Sequence, residues 1–214
     1  MVTDDARAVV DAHIHQWDPF TTPRLVSGPA KVIRRAPFLA PLLMRVFPRS
    51  AREFAGDPQY LLNRYLPDDY AADAAPAPVA AIVHVEAGWQ GKRPVDCVDE
   101  TRWVASLPFG TSGMPSLDAI VVHADPAEPQ VADVLDEHLR ASPLVRGARC
   151  TAAYSPDPGI MDFRTGRTCS PSRPSCGGSA RWRSAVSVSR SGSTVTSYRM
   201  PSRWQASTPR RRSC

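Results

Sequence analysis

The pair of residues in this sequence with the clearest chemical use is His13 and His15, which are separated by Ile14. Residues 11–15 alternate polar and apolar side chains, and this alternation predicts a β-strand with one polar face shared by Asp11, His13 and His15. The strand is expected to end at residues 17–19, because proline cannot extend it. Side chains two positions apart on a strand point the same way, about 7 Å apart along the backbone. Both imidazoles could therefore reach one metal ion.

Asp11 has two roles open to it at this point. It could orient one of the two imidazoles, as carboxylates beside metal ligands often do. It could also only satisfy backbone groups at the start of the strand.

Further polar residues stand near the carboxyl ends of three more predicted strands, at residues 79–87, 119–126 and 143–150. Glu86 is either a third ligand or base, or a solvated carboxylate. His84 and His123 either contact substrate or are satisfied buried imidazoles. Arg149 either binds an anionic or hydroxylated substrate group or forms a salt bridge with a loop acid such as Asp157.

Helical periodicity between these strands predicts how they are connected. Apolar residues recur at helical spacing over 129–140 and, more weakly, over 96–107. Strands alternating with helices at this spacing indicate parallel βαβ units. Residues 20–78 predict a long insertion of short helices after the first strand, which either covers the mouth of a site or packs on the outside of the domain.

Charge divides the chain into two parts. Residues 163–214 contain eleven arginines, thirteen serines, no lysine and no acid, which leaves a net charge of −6 on residues 1–162, given +5 overall. Such a composition cannot bury enough apolar surface to order the chain, so we expect a disordered basic tail. A shift of reading frame in a GC-rich gene would produce it, and a genuine nucleic-acid-binding tail is the competing explanation.

Targeting signals and cysteine spacing limit the class of protein to which this chain can belong. The acidic start lacks the apolar core of a secretory signal, and the most apolar stretch, 36–47, is too short to span a bilayer. Five cysteines with no Cys-x-x-Cys spacing argue against a disulfide framework or a zinc ribbon. We therefore expect a cytoplasmic protein with no membrane partner.

The ordered series of motifs resembles the amidohydrolase superfamily, in its amidohydrolase-related (amidohydrolase 2) branch, which includes sugar-lactone and dicarboxylate-lactone hydrolases. The resemblance covers about residues 8–162, and its motifs are 10–19, 65–70, 83–89, 100–103, 122–125 and 145–149. It implies a (β/α)8 TIM-barrel type of fold, of which this chain would hold the N-terminal half, about four βα units. Residues 1–162 would form this partial barrel domain, with 20–78 as its helical insertion and 163–214 as the tail.

The resemblance also implies an activity, which is hydrolysis of a lactone or related cyclic ester by metal-activated water. Zinc is the expected metal, with manganese or a metal-independent reaction as alternatives. The expected roles place His13 and His15 on the metal, Glu86 and His123 in catalysis, and His84 and Arg149 on a small-molecule substrate.

Two departures lead us to expect an inactive, truncated chain. All five histidines precede residue 139, and no Asp or Glu follows Asp162, so the later metal ligands and the late aspartate of the family have no counterpart. The alternative is a non-catalytic fragment whose basic tail binds nucleic acid or another polyanion, although nucleic acid is the less favoured partner.

Overall fold

The computed structural model describes residues 8–47, 49–50, 52, 59–75, 77–126, 128–151, 160 and 195–199. Five strands form one sheet in sequence order: β1 (Val9–Ile14), β2 (Val79–Val85), β3 (Ser116–His123), β4 (Val145–Thr151) and β5 (Val195–Arg199). The first four strands are parallel, and β5 runs antiparallel to β4.

The helices occur in the predicted order, but each is shorter than the sequence segment that predicted it. They are α1 (Ser27–Arg35), α2 (Ala40–Val46), α3 (Gln59–Leu62), α4 (Pro67–Ala74), α5 (Val98–Ala105) and α6 (Val131–Ala141), with 3-10 turns at Pro37–Leu39 and Pro94–Cys97. The first four lie in the insertion between β1 and β2, so the prediction of short helices there is confirmed. Helices α5 and α6 connect β2 to β3 and β3 to β4, which confirms the βαβ units.

One face of the sheet packs against these helices. The main cluster joins α5 and α6 to β3 and β4 and consists of Val104, Ile120, Val122, Ala124, Val131, Leu135, Val145 and Ala148. A second cluster joins Ile14 and Ile82 to Tyr70 of α4. Because side chains alternate along a strand, His13 and His15 lie on the opposite face from Ile14.

A bulge in β1 separates Asp11 from the histidines. Asp11 pairs with Ile82 and Ile14 pairs with His84, so three steps along β1 match two along β2. The Asp11 carboxylate accepts hydrogen bonds from the Tyr70 hydroxyl at 3.0 Å and from the His13 backbone N–H at 3.1 Å. The prediction of one polar face shared by all three residues is therefore wrong, and the backbone role of Asp11 is the one observed.

The predicted (β/α)8 TIM-barrel type is also wrong. A barrel requires parallel strands that continue around to the first one, whereas this sheet runs from β1 to β5 without closing and its last strand is antiparallel. Local periodicity predicts each βα unit correctly, but closure depends on pairing between distant strands, which periodicity does not encode. The observed class is an open α/β sheet.

The predicted disordered tail lies largely outside the described residues. Its described part, Val195–Arg199, pairs with Gly147–Thr151 along the β4 edge. In the part of the chain that the structure describes, no helix is long and apolar enough to cross a membrane.

Candidate functional site

His13 and His15 meet at the carboxyl end of β1. Their Nε2 atoms are 3.2 Å apart, and their ring centroids are 4.9 Å apart with the planes at 76°. The Nδ1 of His15 lies 2.8 Å from the carbonyl oxygen of Val85 on β2. Because a carbonyl oxygen only accepts, Nδ1 carries the proton and the lone pair of His15 is on Nε2, facing His13.

The separation of the two Nε2 atoms suits a shared metal ion. Two nitrogens bound to one tetrahedral zinc at about 2.0–2.1 Å would be about 3.4 Å apart. The observed 3.2 Å is close to that value, and the Val85 carbonyl is the type of partner that commonly orients a metal-bound imidazole. The donor atoms of this pair therefore fit a divalent ion.

A complete catalytic metal site has more ligands than this pair. Over the described ranges, no group of three or more His, Cys, Asp or Glu side chains is placed to hold an ion. A catalytic zinc normally has three protein ligands and a water. The described residues supply two of the three.

The protonation of His15 favours metal binding. Burial lowers its pKa most strongly; the Val85 hydrogen bond acts in the opposite direction, and the nearby Arg149 cation lowers the pKa further. His15 is therefore neutral near pH 7, which is the form that binds metal.

Glu86 and Arg149 bind each other. Arg149 Nε is 2.7 Å from Glu86 Oε1, Arg149 Nη2 donates to the Glu86 carbonyl oxygen at 2.8 Å, and the Gly88 N–H donates to Glu86 Oε2 at 3.0 Å. Burial alone would raise the pKa of Glu86, but Arg149 and then His123 outweigh it and lower that pKa. In this arrangement Glu86 is an ionised partner of Arg149, not a free base or a third metal ligand.

The salt-bridge alternative for Arg149 thus describes the observed contact, with a different acid. Asp157, the loop acid considered from the sequence, lies outside the described residues. The guanidinium still places a positive charge near His15, as its effect on the pKa of that residue shows.

His123 ends β3 beside this ion pair. It is half-buried, and it pairs in register with Arg149 on β4. Its charge also lowers the pKa of Glu86, so the two side chains are close. The structure therefore brings His15, Glu86, His123 and Arg149 into one neighbourhood at the carboxyl ends of the strands.

His84 lies on the helix-facing side of the sheet, where burial has the largest lowering effect on its pKa and where His15 and Arg149 are close enough to lower that pKa further. Its side chain is 1% exposed, and its Nδ1 accepts a hydrogen bond from the Gln16 backbone N–H at 3.2 Å. The predicted substrate contact is therefore not what this position provides. His84 instead fixes the backbone one residue beyond His15.

A buried ion pair behind His84 was not predicted from the sequence. Arg24 Nη1 is 2.6 Å from Glu100 Oε1, with both side chains under 5% exposed. Arg24 also donates to the Ala87 carbonyl at 2.8 Å, and Glu100 accepts from the Ala87 N–H at 2.9 Å. The guanidinium carbon lies 5.1 Å from the ring centroid of Trp89. The pair ties the insertion to the loop that follows β2.

One sequence signal could have identified Glu100. It lies on α5 four residues before Val104 and three residues after Cys97, which ends the preceding 3-10 turn, and both of these residues are buried. An acid on the apolar stripe of a helix requires a buried cation, and Arg24 supplies it. No local pattern connects residues 24 and 100, however.

Comparison with known proteins adds little on identity. No protein-family model matches the chain, and no solved structure matches it. The chain is similar to the uncharacterized protein y4mH of Sinorhizobium fredii (strain NBRC 101917 / NGR234), with 28% identity over 152 residues. That match covers 70% of this chain and 42% of the relative, so the chain spans about two fifths of that relative's length. None of these comparisons supports the amidohydrolase resemblance.

Proposed function

We propose that this chain is a hydrolase of the amidohydrolase type with little or no activity of its own, and that it binds a divalent metal ion, zinc in the first instance, through His13 and His15. The observation that carries the proposal is the 3.2 Å separation of the two Nε2 atoms, together with the Val85 carbonyl that orients His15. The substrate class, a lactone or related cyclic ester in the cytoplasm, comes from the sequence resemblance alone.

A metal bound at this pair would polarise a substrate carbonyl and lower the pKa of a bound water to about 7. The residues around the pair have separate tasks. Val85 holds the His15 ring, and His84 holds the backbone that follows it. Arg149 contributes positive charge on the same side, which favours an anionic or hydroxylated group of the substrate.

We expect turnover by this chain to be very slow because of two features of the described residues. The described part supplies two metal ligands where a catalytic zinc has three. Glu86 is held by Arg149 and Gly88, and its lowered pKa makes it a weak proton acceptor. We therefore expect measurable metal binding with little or no lactone hydrolysis.

Zinc titration of the purified full chain by calorimetry tests the proposal. We expect about one zinc per chain, with affinity falling more than about tenfold in His13→Ala, because one of two ligands is lost. Arg102→Gln is the control, since Arg102 is an exposed residue on α5 away from the histidine pair and should leave zinc affinity unchanged. Equal zinc affinity in wild type and His13→Ala would contradict the proposal.

The alternative function, a basic tail that binds nucleic acid, stays a prediction. Apart from 195–199, residues 163–214 lie outside the described part of the chain.

A further inference from the structure

The insertion between β1 and β2 exposes apolar and basic side chains together. Val32 is 43% exposed, Phe38 is 80% exposed and Leu42 is 58% exposed. Lys31, Arg35 and Arg45 are also exposed. We call these six residues the basic-apolar surface.

Helix α1 contributes one stripe of this surface. Ala30 is buried beneath the helix, whereas Lys31, Val32 and Arg35 are all exposed. Positions 31 and 35 are four apart and positions 32 and 35 are three apart, so these side chains are neighbours on the outer side of the helix. A valine is thus flanked by two cations.

The next turn and helix α2 contribute a second stripe. Phe38, Leu42 and Arg45 follow one another at spacings of four and three residues, and each is exposed. Phe38 lies in the 3-10 turn that leads directly into α2. Two large apolar side chains therefore project from the protein with a cation beside them.

The sequence that carries this surface has charges of one sign. Residues 19–52 contain seven Lys and Arg and no Asp or Glu. Three of these cations, Lys31, Arg35 and Arg45, belong to the surface and are exposed. Whatever covers the surface must therefore carry negative charge and also accept aromatic and aliphatic side chains.

Three kinds of occupant meet these requirements poorly. A second copy docked by two-fold symmetry would place these cations against the same cations. The chain's own residues 163–214 contain eleven arginines and no acid, so they would be repelled. Nucleic acid would neutralise the charge, but phosphates offer nothing to Leu42 or Val32.

An anionic lipid bilayer meets both requirements. Its phosphates attract Lys and Arg, and the boundary between headgroups and acyl chains accepts Phe and Leu from helices that lie in the plane of the membrane. Such helices do not need the length of a membrane-spanning segment, so the finding on spanning helices in the described part is compatible with this contact.

We propose that the basic-apolar surface binds the face of an anionic lipid bilayer, with Phe38 and Leu42 inserted among the headgroups. The contact would hold the protein peripherally at a membrane. This inference is independent of the proposed hydrolase function, because it uses none of the residues at the histidine pair.

Co-sedimentation of the full chain with vesicles tests the proposal. We expect binding to vesicles of phosphatidylcholine with phosphatidylglycerol and much weaker binding to phosphatidylcholine alone. The double variant Phe38→Ser with Leu42→Ser should bind at least about tenfold more weakly, since two apolar side chains no longer leave water. Ile160→Ser is the matched control, because Ile160 is an exposed apolar residue outside the surface.

The arginines of residues 163–214 also attract anionic vesicles, so the measurement is repeated at high salt, where exposed charges are screened. There the wild type should keep more binding than the Phe38/Leu42 variant. Lys31→Gln with Arg35→Gln should weaken binding at low salt, whereas Arg102→Gln, an exposed cation on α5, should not.

Three results would overturn the inference. One is vesicle binding by the Phe38/Leu42 variant that equals wild type at both salt concentrations. A second is equal binding to neutral and anionic vesicles. The third is no vesicle binding by the wild type, whether or not it binds duplex DNA or an acidic peptide.

Discussion

The two faces of the sheet both present histidines, in opposite surroundings. On the face away from the helices, His13 is exposed and His15 is half-buried, and their Nε2 atoms point toward each other. On the helix side, His84 and His138 are each 1% exposed and bound to backbone or side-chain partners. The surroundings, more than the residue type, decide whether an imidazole can bind a ligand or only supports the fold.

His138 shows the supporting role most fully. Its Nδ1 lies 2.7 Å from the Thr101 hydroxyl, and its Nε2 lies 3.1 Å from the His123 carbonyl oxygen. Cys97 Sγ is 3.4 Å from the same Nε2. Burial lowers the pKa of His138 to about 4 and raises the pKa of Cys97 to about 12, so this Cys-His contact carries no thiolate at neutral pH.

The largest effect on stability is expected from breaking the buried Arg24–Glu100 ion pair on the helix side of the sheet. Arg24→Met leaves the Glu100 carboxylate buried without its cation, so we expect a loss of about 3–5 kcal/mol in the free energy of unfolding, measured with urea. Arg102→Met removes the exposed Arg102–Asp99 pair on α5 and should cost less than about 1 kcal/mol. Similar losses in the two variants would show that burial does not distinguish these pairs.

The second effect is acid destabilisation. The pKa of His138 is about 4 in the folded chain against an ordinary value of 6.5, so between these values the unfolded chain binds more protons. Stability is therefore fully present above pH 6.5 and falls as the pH drops toward 4, by about 3 kcal/mol from this residue. His84, whose pKa burial lowers well below 6.5, acts in the same direction.

Urea unfolding at a series of pH values measures this dependence. In His138→Gln, stability should fall less steeply between pH 6.5 and 4 than in the wild type. If the unfolding free energy of His138→Gln depends on pH as steeply as that of the wild type, His138 is not the source of the acid sensitivity.

A smaller effect is expected on the other face. Arg149→Met removes a partly exposed guanidinium from Glu86, and hydrogen bonds to charged groups contribute about 1.5–3 kcal/mol. The loss of unfolding free energy should thus be below that of Arg24→Met. The same variant should raise the pKa of Glu86, which carbon-13 NMR of its carboxyl group would detect.

The smallest effect is that of His13→Ala on folding. His13 is exposed, and truncation of exposed residues usually changes stability by less than about 0.5 kcal/mol. Thermal unfolding of the metal-free variant should match the wild type even though its zinc affinity falls. A large loss of stability would mean that His13 supports the fold as His138 does.

The sequence predicted elements that depend on neighbours along the chain. Strands β1 to β4 and helices α5 and α6 follow from periodicity, and the short helices of the insertion follow from its length, because a structureless loop of that length is improbable in a compact domain. The two predictions that were wrong, the shared polar face of β1 and the barrel, depend on pairing between strands that are distant in the sequence. The bulge in β1 is set by its register against β2, and the open edge beyond β1 is set by which strands meet, so neither could be read from a local pattern.

The site divides in the same way. The two imidazoles of His13 and His15 meet as their spacing predicted. The Glu86–Arg149 and His84–Gln16 contacts join residues more than sixty positions apart, and no spacing rule connects them. The Arg24–Glu100 ion pair was not predicted for the same reason.

The contact between His13 and His15 has a consequence for proton position. The only N–H of neutral His15 is directed at Val85, so His13 must supply the hydrogen between the two Nε2 atoms. With a hydrogen on that nitrogen, metal-free His13 cannot coordinate an ion through Nε2. Metal uptake therefore requires this hydrogen to leave Nε2, and nitrogen-15 shifts of His13 would report its loss.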